Sequence, residues 1–449
     1  MANSQFNVHV KVFEQDVEQF FGSMYHEEDD EYISKLTSAM THSPNWSTLR
    51  VTPKSQDQEM CMEDARDELQ SLINDDAHQV IIHPHIPDCL CIQVTGPHKV
   101  SLLSNFVVVG KQCGEAVLRG SHVFAPGVIG TSNSIRLNEQ VSIMANIDGK
   151  MPKGTKVTSE QMLTGHVHVG NGKLLMSREE ILQKDSKGVA VQITQPIFNT
   201  CSFHSFCDSK HFHFFPQNLP SMLVSHLLDP QYSDKILDMC ASPGGKSSHI
   251  AALMMRQPHV GQKGQVIACD RSANKVKKLK ELMEKLDLSG WVDCMVSDGT
   301  KPHQSLARQS FDRVLCDAPC SGLGQRPSLG HTEYNMQKLE QTAHYQRKIL
   351  KKSVEMVKNN GVLVFSTCTI SPLENEENVL WLLKEFNGNG TSLVQLDDIK
   401  MPWAHKNEYW CGGLKKLIRD ERLMRFDPVV NKESIGFFAA RFIVKHFNK

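Results

Sequence analysis

No apolar run in this 449-residue chain approaches the length of a membrane-spanning helix. The segment from Met1 to Val17 carries charges and no apolar core, which argues against a secretory or transit peptide. Charge of one sign is also missing. The 49 Lys and Arg against 50 Asp and Glu leave a net charge of -1, so any nucleic-acid surface must be a local patch. Aromatics are sparse at 7%, too few for a long base-stacking platform. There is no internal repeat and no low-complexity tract. Cysteine is not scarce, but the 13 present follow no framework spacing, which fits a reducing compartment better than a disulfide scaffold. A soluble, cytoplasmic chain of two or three domains is the expectation.

Three segments differ in character. Residues 1–105 mix helical and strand signals and are expected to pack on the catalytic part. Glu14 to Phe21 is amphipathic, Cys61 to Asn74 is helical in pattern, and Cys89 to Val94 reads as a strand. Residues 106–198 alternate short β-rich runs with Gly turns. The runs are Val107 to Gly110, Ala116 to Gly120, Val141 to Ala145 and His166 to Gly170, a spacing that predicts a small β-barrel. Residues 199–449 alternate strand and helix, with strands expected at Lys235–Cys240, Gln265–Asp270, Phe311–Asp317 and Gly361–Cys368. Helices are expected at Lys246–Met255, Asn274–Leu286 and His344–Val357. That alternation predicts an α/β, Rossmann-like, doubly wound sheet whose ligands bind at the carboxyl ends of its strands.

The chemistry-bearing motifs fall at those ends. Asp238-Met239-Cys240-Ala241-Ser242-Pro243-Gly244-Gly245-Lys246 joins a strand to a helix. Its spacing is neither Gly-x-Gly-x-x-Gly nor a Walker loop. Its glycines permit close backbone approach, and the following helix N-terminus favours a carboxylate such as that of S-adenosylmethionine. Asp270 ends the next strand, where a ribose diol is held, and Asp298 is placed for an exocyclic adenine amine. Taken singly, each has a plainer alternative, a tight turn or a strand-end turn former. Two cysteines close further strands: Cys320 in Asp317-Ala318-Pro319-Cys320-Ser321-Gly322, and Cys368 in Ser366-Thr367-Cys368-Thr369. A thiolate can add to C6 of a pyrimidine and make C5 nucleophilic enough to take a methyl group. Cys240, Cys269, Cys294 and Cys316 sit in apolar settings typical of inert core thiols.

These motifs resemble the Sun-domain RNA cytosine-5 methyltransferases. So do Glu374-Asn375-Glu376 and Gly436-Phe437-Phe438-Ala439, and the match spans residues 216–445. Gly120 to Val128, Gly149-Lys150 and Lys153-Gly154 resemble a PUA domain, an RNA-binding module. With Gly322 to Pro327, they point to the tRNA-methylating branch numbered six. The resemblance implies that Cys368 is the nucleophile and that Cys320 assists proton removal and release of the product. It further implies that Asp317 contacts the N3–N4 edge of the cytosine, and that Lys246, Asp270 and Asp298 belong to the cofactor or substrate pocket. Cys240, Ala241, Pro243, Gly244 and Gly245 then form the cofactor turn. Ser242 and Ser328 depart from the usual alanine and asparagine. tRNA or another structured RNA is the expected partner, with no obligatory protein partner, and a monomer is expected.

Arg119, Lys150 and Lys153 on the barrel, and Arg326 beside the Cys320 loop, are the candidate RNA contacts. Lys275, Lys277, Lys278 and Lys280, extended by Lys348, Lys351 and Lys352, form either a solvated face or a phosphate-contacting one. Cys201, His204, Cys207 and His211 match no common zinc spacing and are read as linker, so no metal is expected. Two competing functions are an RNA-binding assembly factor that has lost catalysis and a DNA cytosine methyltransferase. The intact cysteine pair and Gly-Gly turn argue against the first, and the Thr-Cys-Thr element against the second.

Overall fold

The computed structural model describes residues 10–25, 31–52, 61–73, 75, 77–158, 165–201, 203, 213–330, 333–388, 391–401 and 410–446. The first part carries helices α1 (Gln15–Tyr25), α2 (Tyr32–Thr41) and α3 (Met62–Ile73), and strands β1 (Trp46–Val51), β2 (Val80–Ile82) and β3 (Cys89–Gln93). Apolar residues recur every three or four positions along α1 and α2, and Val17, Phe21, Met24, Leu36 and Met40 among them are buried.

The middle part runs β4 (Phe106–Gly110), α4 (Lys111–Leu118), β5 (Val123–Phe124), β6 (Val128–Ser132), β7 (Gln140–Asn146), β8 (Thr155–Val157), β9 (His166–Leu174), α5 (Arg178–Leu182) and β10 (Val189–Pro196). Its strands form one mixed sheet in the order β5-β10-β9-β7-β4-β6-β8. One expectation fails here. Ala116 to Gly120 is not a strand but the end of α4 and its C-terminal turn. Five residues are too short a window for periodicity to separate strand from helix, and Val117 and Leu118 are buried beneath the sheet in either case.

The last part holds β11 (Phe214–Pro216), α6 (Leu219–Leu228), β12 (Lys235–Asp238), α7 (Gly245–Met255), β13 (Gln265–Asp270), α8 (Ala273–Lys285), β14 (Val292–Val296) and β15 (Phe311–Asp317). It continues with α9 (Met336–Met356), β16 (Val357–Thr367), α10 (Glu376–Phe386), β17 (Asn387–Gly388), β18 (Thr391–Ser392), β19 (Val394–Leu396), β20 (Leu423–Phe426) and β21 (Phe437–Val444). The large sheet runs β14-β13-β12-β15-β16-β21-β19. Its first five strands are parallel, while β21 enters antiparallel to β16. The central strands are apolar on both faces because α6 and α7 cover one side and α9 the other. From β12 the chain steps outward through β13 and β14, then returns to place β15 on the other side of β12. The reversal opens a crevice at the carboxyl ends of β12 and β15, the usual ligand position in such sheets.

The three parts are knit together. β11 pairs with β1, so the first sheet (β11-β1-β3-β2) includes a strand from the last part. A single apolar cluster joins Phe21 and Leu36, Val109 and Val117 of the middle part, and Leu323, Leu329 and Ile370 of the last.

Candidate active site

At the crevice, β12 ends in Asp238, and the turn that follows reverses the chain into α7. Gly244 has φ 113°, and a Cβ there would stand 2.6 Å from Leu279 Cδ1. Only glycine fits such a conformation and approach. Asp238 is buried; its carboxylate accepts from Ser247 Oγ at 2.7 Å and Cys240 N at 3.2 Å, which fixes the turn on its strand. Burial pushes its carboxyl up to about 7. Ala241 N donates to Cys269 O at 2.7 Å, tying the turn to β13 as well. Asp270 holds Ser272 N through Oδ1 at 2.9 Å, leaving Oδ2 for a ligand. Asp298 accepts from the backbone N and Oγ1 of Thr300, both at 2.8 Å, which lowers its carboxyl below the ordinary range.

The neighbouring strands bring the two sulfurs together. Asp317 and Ser366 are in register across β15 and β16, so the loops that leave these strands start side by side. Cys320 Sγ and Cys368 Sγ lie 3.3 Å apart. Asp317 Oδ1 accepts from Ser366 Oγ at 2.7 Å and Oδ2 from Lys246 Nζ at 2.8 Å. Lys246 Nζ also sits 5.4 Å from the centroid of the Phe437 ring. Burial would lower Lys246, but the Asp317 carboxylate outweighs it and the ammonium is held above its usual range. The sulfurs are driven apart in acidity. The hydrogen bond with Cys320, then Gln325 and Lys246, lowers Cys368 against the effect of burial. The same hydrogen bond, with burial, holds Cys320 well up. Cys368 is therefore the more acidic sulfur of the pair.

A second layer, which the sequence did not disclose in its roles, sets this geometry. Glu374 is fully buried and accepts from Ser321 N at 2.9 Å, Gln346 Nε2 at 2.8 Å and Ser321 Oγ, while Gln346 Nε2 also reaches Pro319 O at 3.0 Å. Asn375 takes Thr367 Oγ1 at 2.6 Å and donates to Thr369 O at 2.9 Å. The residues just before and after Cys320 and Cys368 are thus bonded to one buried acidic turn. Glu374 and Asn375 were noted only as part of a family motif, and Gln346 only as helix. Gly324 seals the loop: its N donates to Cys368 O at 3.1 Å, it accepts from Gly436 N at 2.9 Å, and a Cβ would stand 1.9 Å from Gly436 O.

A cavity of about 820 Å³ opens over this site, lined by Cys240 to Pro243, Gly245, Lys246, Asp317, Ser321 and Gln325, and by Trp46, Phe215 and Arg119 opposite. Its size, the backbone of the turn before α7 and the two strand-end acids that line it, Asp238 and Asp317, fit a nucleoside-sized cofactor. Asp270 and Asp298 lie outside this lining. Lys150 and Lys153 are exposed on the loop between β7 and β8. Arg326 has a structural task. It is 3% exposed, and its guanidinium is shared among His42 O, Ser43 O, Pro428 O and Lys432 O at 3.1–3.2 Å. Four carbonyls take four of its five donors, so it fastens the loop, and its side chain forms part of the cavity wall. Lys275, Lys277, Lys278 and Lys280 are exposed on α8, whereas Lys351 and Lys352 already pair with Glu385 and Glu355. Cys269 and Cys316 are buried core thiols, but Cys240 and Cys294 are partly exposed, and Cys240 lines the cavity. Of the Cys201 cluster, Cys201 is buried among apolar residues and His204, Cys207 and His211 lie outside the described residues. No described helix is long and apolar enough to cross a membrane.

A glycine cradle at the switch point, an acid at each strand end and a reactive thiol facing them define an S-adenosylmethionine-dependent methyltransferase. The family model described as 16S rRNA methyltransferase RsmB/F matches residues 225–443, and that of the PUA domain residues 105–197. The tRNA (cytosine(72)-C(5))-methyltransferase NSUN6 of Mus musculus is 35% identical over 93% of this chain and 91% of its own, and that of Homo sapiens 36% over 93% and 92%. The crystal structure of NSun6 from Pyrococcus horikoshii with SFG, an S-adenosylmethionine analogue, superposes with a TM-score of 0.77 at 26% identity, covering 97% of this chain and 100% of that one. The chain belongs to the Sun-domain family of RNA cytosine-5 methyltransferases, in its PUA-containing branch.

Proposed function

We propose that this chain methylates C5 of a cytosine in tRNA through a covalent adduct to Cys368. The observation that carries it is the 3.3 Å pair in which Cys368 is the more acidic sulfur. S-adenosylmethionine supplies the methyl group; the turn from Cys240 to Gly245 with Lys246, Asp270 and Asp298 would hold it. The Cys368 thiolate adds to C6 of the cytosine, and the electron pair of the C5–C6 bond moves to C5. Asp317, fixed by Lys246 and Ser366, accepts from the N4 amine and steadies the polarised N3 edge. C5 takes the methyl carbon, whose bond to the sulfonium sulfur breaks with its electron pair, so that S-adenosylhomocysteine leaves. The C5 proton then passes to a base on the Cys320 side, the C5–C6 double bond reforms, and the C6–S bond breaks to return the thiolate. The target base must be out of its stack to meet both sulfurs, so an exposed nucleotide near an RNA end suits the site. Mouse and human relatives, matched over nearly their whole length, carry cytosine 72 of tRNA in their names, and this position is proposed here too. Arg119, Lys150 and Lys153 would contact the RNA backbone. The protein is proposed to work as a cytoplasmic monomer, with its parts divided at residues 105 and 198.

Bisulfite sequencing of tRNA treated with the purified chain tests the position, and a signal confined to another nucleotide would overturn it. Denaturing gels with labelled tRNA test the sulfurs. Cys368→Ala should give neither methylation nor adduct. Cys320→Ala should accumulate a protein–RNA adduct, because attack proceeds while release stalls. An adduct in Cys368→Ala alone would reverse the two roles.

A further inference from the structure

Arg50, on β1 of the first part of the chain, is fully buried, yet its guanidinium ends at the first turn of α7, immediately after the Gly244–Gly245 turn. Nη1 donates to Gly245 O at 2.9 Å and to Gln217 Oε1 at 3.1 Å. Nη2 donates to Ser248 Oγ at 3.0 Å, and that hydroxyl donates to Gly245 O at 3.1 Å, so arginine, serine and carbonyl form a closed ring of hydrogen bonds. The guanidinium carbon stands 4.8 Å from the centroid of Phe215, a cavity-lining residue. The next turn of α7 is fastened to the same part of the chain. Asp88 accepts from His249 Nε2 at 2.8 Å and His226 Nε2 at 2.9 Å, with Arg256 Nη1 at 3.5 Å. Each imidazole turns a nitrogen to the carboxylate and a guanidinium lies beside it, so the cluster fastens α6 and α7 to the first part of the chain. Burial moves Arg50 down to about 9 against the pull of Asp88. A cation this costly to bury is kept where its planar fork can bridge two acceptors, which a lysine cannot reproduce.

We propose that Arg50 is a positioning residue for the cofactor: it locks the first turn of α7, and with it the Gly244–Gly245 turn, in the conformation that receives S-adenosylmethionine. The first part of the chain thereby completes the cofactor site. This rests on the placement of the cofactor at that turn made above. Arg50 touches neither RNA nor the reacting atoms, so its effect must run through the turn.

The test is binding of S-adenosylhomocysteine to the full chain by calorimetry, with turnover kinetics beside it. Arg50→Gln should weaken binding roughly tenfold, the order expected for a lost charge-assisted hydrogen bond. Arg50→Lys should lie between it and wild type, and Ser248→Ala should show a smaller loss. The KM for S-adenosylmethionine should rise by more than kcat falls, with tRNA affinity unchanged; a merely structural role would lower the melting temperature without this split. Gly244→Val tests the placement itself. Undiminished binding in that variant would overturn the placement and this proposal with it. Lost binding there, with wild-type Kd and KM in Arg50→Gln and Ser248→Ala, would overturn this proposal alone. Should Arg50→Gln not fold, Ser248→Ala decides by the same criterion.

Discussion

The two sulfurs differ because their surroundings differ. Cys368 has a thiol donor on one side and the Lys246 ammonium near it, and Cys320 has neither advantage. An ordinary thiol near 9 is mostly protonated at neutral pH, so each unit of lowering brings close to tenfold more thiolate. Adduct formation should therefore rise with pH along a limb that lies below that of a free cysteine. Lys246→Met removes a cation that favours the thiolate, so the limb should move to higher pH. Single-turnover rates from pH 6 to 9 on the variant and wild type measure it; a limb that stays put or moves to lower pH would count against Lys246 as the tuning charge. The cysteines and Asp317 were legible in the sequence because each sits in a short local motif. Glu374 and Gln346 were not, since their task is to meet the Cys320 loop from 27 to 53 residues away, and no local pattern records that. The structural task of Arg326 was hidden for the same reason: its four carbonyl partners include two nearly three hundred residues earlier.

At the scale of elements, strands and helices of the large sheet were legible because apolar strand runs and amphipathic helices alternate strongly. The β19, β20 and β21 ladder and α4 were not read, as their partners decide them. The junction of α6 and α7 with the first sheet holds histidines buried in neutral form. Burial takes His249 down to about 3, and His83, whose Nδ1 accepts from Ile86 N at 3.0 Å, down to about 4. An unfolded histidine binds its proton near 6.5. Between those values and 6.5 the unfolded chain holds more protons than the folded one, so stability rises with pH across that window and is lost as pH falls through it. Asp88, kept ionised by its imidazole partners, adds the same sign at lower pH. Melting temperature should fall steadily from pH 7 to 5, and His249→Gln should flatten part of the slope. A level profile over that range would contradict the buried neutral assignment.

On the scale of the whole molecule, the middle part grips the catalytic loop directly. Lys111 Nζ reaches Gly330 O at 2.7 Å, Glu115 accepts from Leu329 N at 2.9 Å, and Arg119 Nη1 approaches Pro327 O at 3.3 Å. RNA held there is held close to the sulfurs. Reversing the charge of Arg119 and Lys153 together should raise the tRNA dissociation constant and lower the slope of log K against log salt by about one per lost phosphate contact. Titrations at several salt concentrations check it, and an unchanged slope would assign substrate choice to the cavity walls instead. The strand β21 has a different bearing. It is the last strand of the large sheet in chain order, yet it lies inside that sheet and pairs Phe438 with Thr367, the residue before Cys368. A ribosome delivers it after every other part of the site has emerged. Until then β16 keeps an open edge, and Thr367, the residue before Cys368, lacks its strand partner Phe438. The edge of β16 that leads to Cys368 is thus closed by the strand that emerges last, and completing the sheet beside that sulfur waits on residues 437–444.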